Sequence, residues 1–204
     1  MVWIFDAGHS MLTMGKRSPN GEFREYEFNR DIVRMVSKQL DELGIKYFYT
    51  YPLEDEYDLS LTTRAMNANK IAREYGAGNT IFVSVHSNAA GMGKDWMNAQ
   101  GYCVYTTKGQ NNSDKIATIF WEEAEKVWCG KYGRNMRKDT YSDGDVDYEA
   151  NFTVIYKTIC PSILLEQGFY DNYDEMKFLL SEEGKRACTE IIVNAIKRIE
   201  GIAS

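Results

Sequence analysis

At 204 residues, 44% of them hydrophobic and 26% charged, with three prolines, the chain has enough apolar side chain for a sizeable core and too much for a disordered protein. Its net charge of −6, with no basic cluster longer than Arg34 to Lys38 or Arg134 to Lys138, argues against a nucleic-acid partner, and no apolar run is long enough to insert in a membrane. Four widely spaced cysteines (Cys103, Cys129, Cys160 and Cys188) include no CxxC pair, which argues against a cysteine zinc site and, at this size, against a disulfide framework.

The first predicted strand is Val2 to Asp6. The chain opens on it directly, without a basic segment followed by an apolar stretch, so no signal peptide is expected. A loop with Gly15, Pro19 and the turn pair Asn20-Gly21 leads to a helix over 25–43. Its apolar positions Phe28, Ile32, Met35, Val36, Leu40 and Leu43 step mostly by three and four, and Gly44 ends it. Ile45 to Tyr51 reads as the second strand and Thr62 to Tyr75 as the second helix, stopped by Gly76 and Gly78. The third strand, Thr80 to Val85, ends in His86. A loop from Ser87 to Asn98 carries Trp96, and Gly101 to Thr106 is the next strand.

A long helix is predicted from Ser113 to Cys129, followed by a glycine- and acid-rich loop from Gly130 to Glu149. Phe152 to Tyr156 reads as a short strand or a helical turn, Ser162 to Leu165 as a buried strand ending in Glu166, and Glu182 to Ile199 as the last helix. This alternation, without repeats or a linker, predicts one α/β domain over 1–204. Its core is expected to be a mostly parallel, twisted central sheet of about six strands, flanked by helices on both faces.

The two histidines of the chain, His9 and His86, each close an apolar strand-like run. In an open α/β sheet the carboxyl ends of the strands are where ligands bind. Two imidazoles delivered there by separate strands can share a metal ion, and a catalytic zinc takes a third protein ligand while keeping one position open. Glu25 and Glu27, both at the start of the first helix, are the candidate carboxylates; a solvated charge favoured by the helix dipole is the bland alternative for either. Glu166 follows three apolar strand residues. Held at the edge of the core, it would have a raised pKa suited to general-base work; on an emerged chain it would be a plain surface charge. Each histidine alone fits a hydrogen-bonded core role equally well. The joint arrangement is what singles these residues out.

These residues resemble the zinc-dependent N-acetylmuramoyl-L-alanine amidases of the type 3 family, which cut bacterial peptidoglycan. The family's opening strand leading to Asp-x-Gly-His is matched by Asp6-Ala7-Gly8-His9, with Ser10-Met11 where further glycines are usual. Glu25-Tyr26-Glu27-Phe28-Asn29 matches its helix-opening glutamate, and aligning the apolar positions Ile32 and Val33 favours Glu25 over Glu27. Arg64, Asn67 and Ser84-Val85-His86-Ser87-Asn88-Ala89 match the third element. Pro161 to Phe169, followed by Asn172 and Glu175, match the fourth. The four elements occur in order and span nearly the whole chain. The resemblance implies that His9, Glu25 and His86 bind Zn2+ and that Glu166 is the catalytic glutamate. It further implies hydrolysis of the amide between N-acetylmuramic acid and L-alanine, with the glycan strand and its stem peptide as partner.

Other residues carry weaker expectations. Asp6 would hydrogen-bond near a ligand imidazole or cap its strand end. Asn88 would brace its loop or orient substrate, and Trp96 would line a groove or pack the loop onto the body. Arg134, Arg137 and Lys138 read as a solvated charged face. The acidic run from Asp139 to Glu149 lacks a calcium-loop spacing, with Tyr141 at a ligand position and Ala150 at the last one, and is expected to be a surface loop bordering the groove. The rival readings are another zinc peptidase or deacylase on the same fold, a non-catalytic peptidoglycan-binding relic, and a metal-free structural domain. Without a signal peptide or a separate cell-wall-binding module, a phage or prophage endolysin held in the cytoplasm until release is the expected context; an excised domain of a secreted enzyme is the alternative. The oligomeric state is left open.

Overall fold

The computed structural model describes residues 1–139 and 141–203. Six strands form one sheet in the order β2-β1-β3-β6-β4-β5. They are β1 (Val2–Ala7), β2 (Tyr47–Tyr49), β3 (Thr80–Asn88), β4 (Tyr102–Thr106), β5 (Tyr148–Glu149) and β6 (Ser162–Phe169). β1 pairs in parallel with β2 and β3, and β3 with β6; β4 runs antiparallel to β6 and carries β5 in parallel at the edge. The expected mostly parallel sheet of six strands is therefore the one found.

Helices α1 (Glu25–Leu43), α2 (Leu61–Tyr75), α3 (Asn112–Ala124), α4 (Thr153–Tyr156), α5 (Tyr173–Leu180) and α6 (Glu182–Glu200) cover both faces. The period-2 alternation of the strands decides which face each residue meets. Trp3, Phe5, Val83 and Val85 pack with the apolar stripes of α1, α3 and α6 in the larger core cluster. Ile4, Phe82 and Leu164 point the other way, onto Ala68 and Ala72 of α2 and Val154 and Ile155 of α4. Both faces of the central strands are thus buried, which explains their near-continuous apolar runs.

Several boundaries differ from those the sequence predicts. α3 runs on as a π-helical segment, Glu125–Lys131, so Gly130 lies within a helix and not at the start of a loop. The predicted 130–149 loop ends in the two-residue strand β5. The sequence predicts no helix where α5 forms, because its eight residues show too little periodicity. Its signal is the N-cap: Asn172 Oδ1 accepts from the backbone N–H of Asp174 and Glu175. Cys103, Cys160 and Cys188 are buried free thiols, and Cys129 is exposed.

The topology sets the site. From β1 the chain passes through α1 to β2 on one side, then through α2 to β3 on the other. The carboxyl ends of β1 and β3 therefore flank a switch point, where an open α/β sheet leaves a crevice.

Candidate metal centre

His9 and His86 stand at that crevice with ring centroids 5.0 Å apart and planes at 90°. Glu25, the first residue of α1, is 1% exposed and lies between them. Its Oε1 is 3.1 Å from His86 Nδ1 and its Oε2 is 3.3 Å from His9 Nε2. One donor atom from each of the three residues falls within 4.8 Å of the others. Glu27 faces outward instead, with a side chain 54% exposed, and accepts a bond from Tyr26 Oη. The structure thus separates the two carboxylates that the sequence left as alternatives.

The local chain geometry explains why a glycine precedes His9. A Cβ on Gly8 would lie 2.2 Å from the His86 ring, so the imidazole occupies space that only a glycine leaves open. His9 itself adopts a left-handed φ of 64°, a conformation costing a non-glycine residue on the order of 1 kcal/mol. A buried cluster holds it there. Tyr51 Oη lies within bonding distance of the carbonyls of Ala7 (2.6 Å) and His9 (2.9 Å), and the Arg64 guanidinium donates to the same two carbonyls. Arg64 also pairs with Asp6, which accepts from Thr50 and Ser84 as well. Asp6 therefore braces β1, β3 and α2. Its hydrogen-bond partners are Thr50, Ser84 and Arg64, and it lines a cavity together with His9 and His86. From the other side, Asn29 Nδ2 of α1 donates to the Gly8 carbonyl at 3.2 Å.

Electrostatics follow from this crowding. Burial works to raise the Glu25 pKa, but the bonds to His86 and His9 overcome it and hold the carboxyl at about 2. His86 is penalised by burial and held up by Glu25, with a net upward shift. Ser87 N–H adds a bond to Glu25 Oε1 at 3.2 Å.

Glu166 sits on β6 in register with His86 of β3. The register with β6 then shifts between His86 and Asn88. Glu166 Oε2 is buried without a hydrogen-bond partner, and burial, with the neighbouring Glu25 charge, pushes the carboxyl up to about 8. It is at the core's edge, not a free surface charge. Glu166, His86, Glu25, Asn88, Tyr170 and Lys16 line a cavity of about 380 Å³, which shares Met14, Gly15 and Lys16 with an adjoining cavity of about 440 Å³. Together they make an extended, open groove.

The chain matches the N-acetylmuramoyl-L-alanine amidase family over residues 4–198. It belongs to that family. The expected resemblance is thereby borne out. Two curated relatives are each 27% identical: the amidase AmiC of Neisseria meningitidis over 226 residues (97% of this chain, 52% of the relative) and the endolysin of Bacillus phage SPP1 over 181 residues (88% and 58%). The chain spans little more than half the length of each. Solved structures with the same fold include the catalytic domain of the amidase CwlV from Bacillus (Paenibacillus) polymyxa (TM-score 0.77, 24% identity, 99% of each chain). An amidase from Clostridium difficile 630 is a further match (TM-score 0.78, 21% identity, 100% of this chain and 98% of that one). Among the described residues, no helix is long and apolar enough to cross a membrane.

The remaining candidates are placed as follows. Asn88 Oδ1 accepts from Ala89 N–H and its carbonyl takes the Tyr170 N–H, which is bracing. Trp96 is 39% exposed and meets Tyr173 edge-on at 5.0 Å. Arg134 and Arg137 fold over the rings of Phe178 and Phe169 and are not simply a solvated face. Tyr51 is a functional neighbour that the sequence did not reveal, because a lone tyrosine after a strand carries no distinguishing pattern.

Proposed function

We propose that this chain is a zinc-dependent N-acetylmuramoyl-L-alanine amidase, hydrolysing the amide between the muramic acid lactyl group and the L-alanine of the stem peptide in bacterial peptidoglycan. In this reading His9, Glu25 and His86 hold the metal and Glu166 is the catalytic acid–base. The observation that carries it is the meeting of two imidazole nitrogens and a buried carboxylate oxygen within 4.8 Å, at a groove that Glu166 also lines.

The donor set fits the ion. Two neutral imidazoles and one carboxylate suit zinc, and three protein ligands leave a position for water or substrate. Glu25 supports this fit, since its two oxygens face the two rings, Oε1 towards His86 Nδ1 and Oε2 towards His9 Nε2. When bound, zinc supplies a Lewis acid for the scissile carbonyl and a water of lowered pKa.

The chain's own groups do the rest. Glu25, held ionised at about 2, keeps an anionic donor between the imidazoles across the working pH range. The Glu166 carboxylate takes a proton from the attacking water as the carbon–oxygen bond forms. The same proton passes to the amine nitrogen as the carbon–nitrogen bond breaks. The products are a lactyl carboxylate on the glycan and a stem peptide with a free L-alanine amine. A carboxyl with a pKa raised towards neutrality can both accept and return that proton.

Digestion of purified peptidoglycan followed by mass spectrometry of the products tests the reading. Wild type should release stem peptides beginning with free L-alanine, and Glu166→Ala should not. New reducing sugars or shortened stems alone would refute the assignment.

A further inference from the structure

Away from the histidines, the loop that leads into β5 and the start of α3 bring four carboxylates together. One oxygen each from Asp114, Asp145 and Asp147 lies within 4.8 Å of the others, and Asp143 is in hydrogen-bond reach of Asp145. Asp147 is 1% exposed. Thr106 Oγ1 donates to its Oδ2 at 2.6 Å, while its Oδ1 is buried with no hydrogen-bond partner. Oδ1 of Asp145 and Oδ1 of Asp143 are buried and unpartnered in the same way. Asp114 spends one oxygen on the Asn111 N–H of the α3 capping box. Among the described residues no lysine or arginine pairs with these four carboxylates; Lys126 pairs with Glu123, Arg198 with Glu122 and Glu123, and Lys131 with Glu190.

Three carboxylate oxygens without a hydrogen-bond partner, one on the buried Asp147 and two on the half-buried Asp143 and Asp145, carry a desolvation and repulsion cost unless a cation joins them, and among the described residues no lysine or arginine forms an ion pair with them. We infer that Asp114, Asp143, Asp145 and Asp147 form a second cation site, for calcium, that clamps the 141–149 loop onto α3 and the sheet edge. The donors are all oxygens, which selects a hard ion over zinc. Three of them alternate along one short loop, with Gly144 at a φ of 99° between the first two, and the fourth comes from a helix. Calcium accepts such irregular, multi-carboxylate shells, whereas magnesium demands near-octahedral geometry. The clamp would act on the sheet edge, where β5 pairs with β4 at Tyr105↔Tyr148 and Thr106↔Glu149.

The test is thermal unfolding of wild type, Asp145→Asn and Glu25→Ala in calcium-free buffer and in up to about 10 mM calcium chloride, a range that spans the weak calcium sites of extracellular modules. Wild type and Glu25→Ala should gain several degrees in Tm with calcium, and Asp145→Asn should gain none. The Glu25→Ala arm separates this site from the histidine centre. Hydrogen exchange of wild type, which needs no variant, should show the 141–149 amides slowed by calcium. An equal response in Asp145→Asn, a loss of response in Glu25→Ala, or no change in either Tm or loop exchange would overturn the inference. An equal Tm gain from magnesium at the same concentration would overturn the assignment to calcium.

Discussion

Arg64 Nη1 lies 3.1 Å from Asp6 Oδ1, and both side chains are 1% exposed. The pair links α2 to β1 and, through the same guanidinium, fixes the carbonyls of Ala7 and His9. Removing one partner leaves a buried charge uncompensated, which costs about 3–5 kcal/mol. Arg64→Ala should therefore lose stability of that order in urea unfolding. Arg64→Lys should recover part of it but still bind metal more weakly than wild type, because an ammonium lacks the fork that spans Asp6 and both carbonyls. Wild-type metal affinity in Arg64→Lys would separate this pair from the positioning of His9.

Gly8→Ala tests the close approach of β1 to the His86 ring. The added methyl must displace the imidazole or the strand end, since the two would otherwise be 2.2 Å apart. The far-ultraviolet circular dichroism should be retained, while bound metal falls well below one equivalent. Full metal content in Gly8→Ala would show that the ring has room to move without consequence.

Glu175, in the first turn of α5, ties the start of β4 to the end of β6. Its carboxylate accepts from the Gly101 N–H at 2.9 Å and from the Phe169 N–H at 2.7 Å, on a side chain that is buried. Glu175→Gln turns an amide NH2 towards one of those donors, a mismatch worth about 1–3 kcal/mol. A fall in Tm with unchanged metal content is expected, because Glu175 supports the turn into α5 and not the histidines. Loss of metal would contradict that separation.

Asp147 predicts a particular pH dependence. Burial, partly offset by the Thr106 bond, raises its pKa from 3.8 to about 7. Between those values the folded chain holds a proton that the unfolded chain has released. Stability therefore falls as pH rises through that window, and the deficit is complete above it. In calcium-free buffer, Asp147→Asn should melt close to wild type near pH 4 and above it near pH 8. A gap that does not change with pH would contradict this reading of the cluster.

Much of this was legible in the sequence, for identifiable reasons. The buried parallel strands announce themselves as apolar runs, and the α1 stripe from Phe28 to Leu40 repeats often enough to fix both type and length. His9, His86 and Glu166 were readable because each ends such a run. Glu25 and Glu27 were not separable by pattern, since both occupy the first turn of α1 and only the tertiary placement of that turn buries one of them. α5 and β5 are too short to show a period, and the π-helical extension of α3 looks like ordinary helix followed by glycine. Three of the four clustered carboxylates lie in the acidic run over 139–149, but the fourth, Asp114, comes from α3, so no single spacing in the sequence brings the set together.

The central claim is that one divalent ion is gripped jointly by His9, Glu25 and His86. Elemental analysis of the purified protein after zinc loading and dialysis measures it directly, with Glu25→Ala set against Glu27→Ala. Wild type and Glu27→Ala should each retain one zinc per chain, and Glu25→Ala should retain far less. Equal retention by all three, or loss in Glu27→Ala alone, would contradict the account.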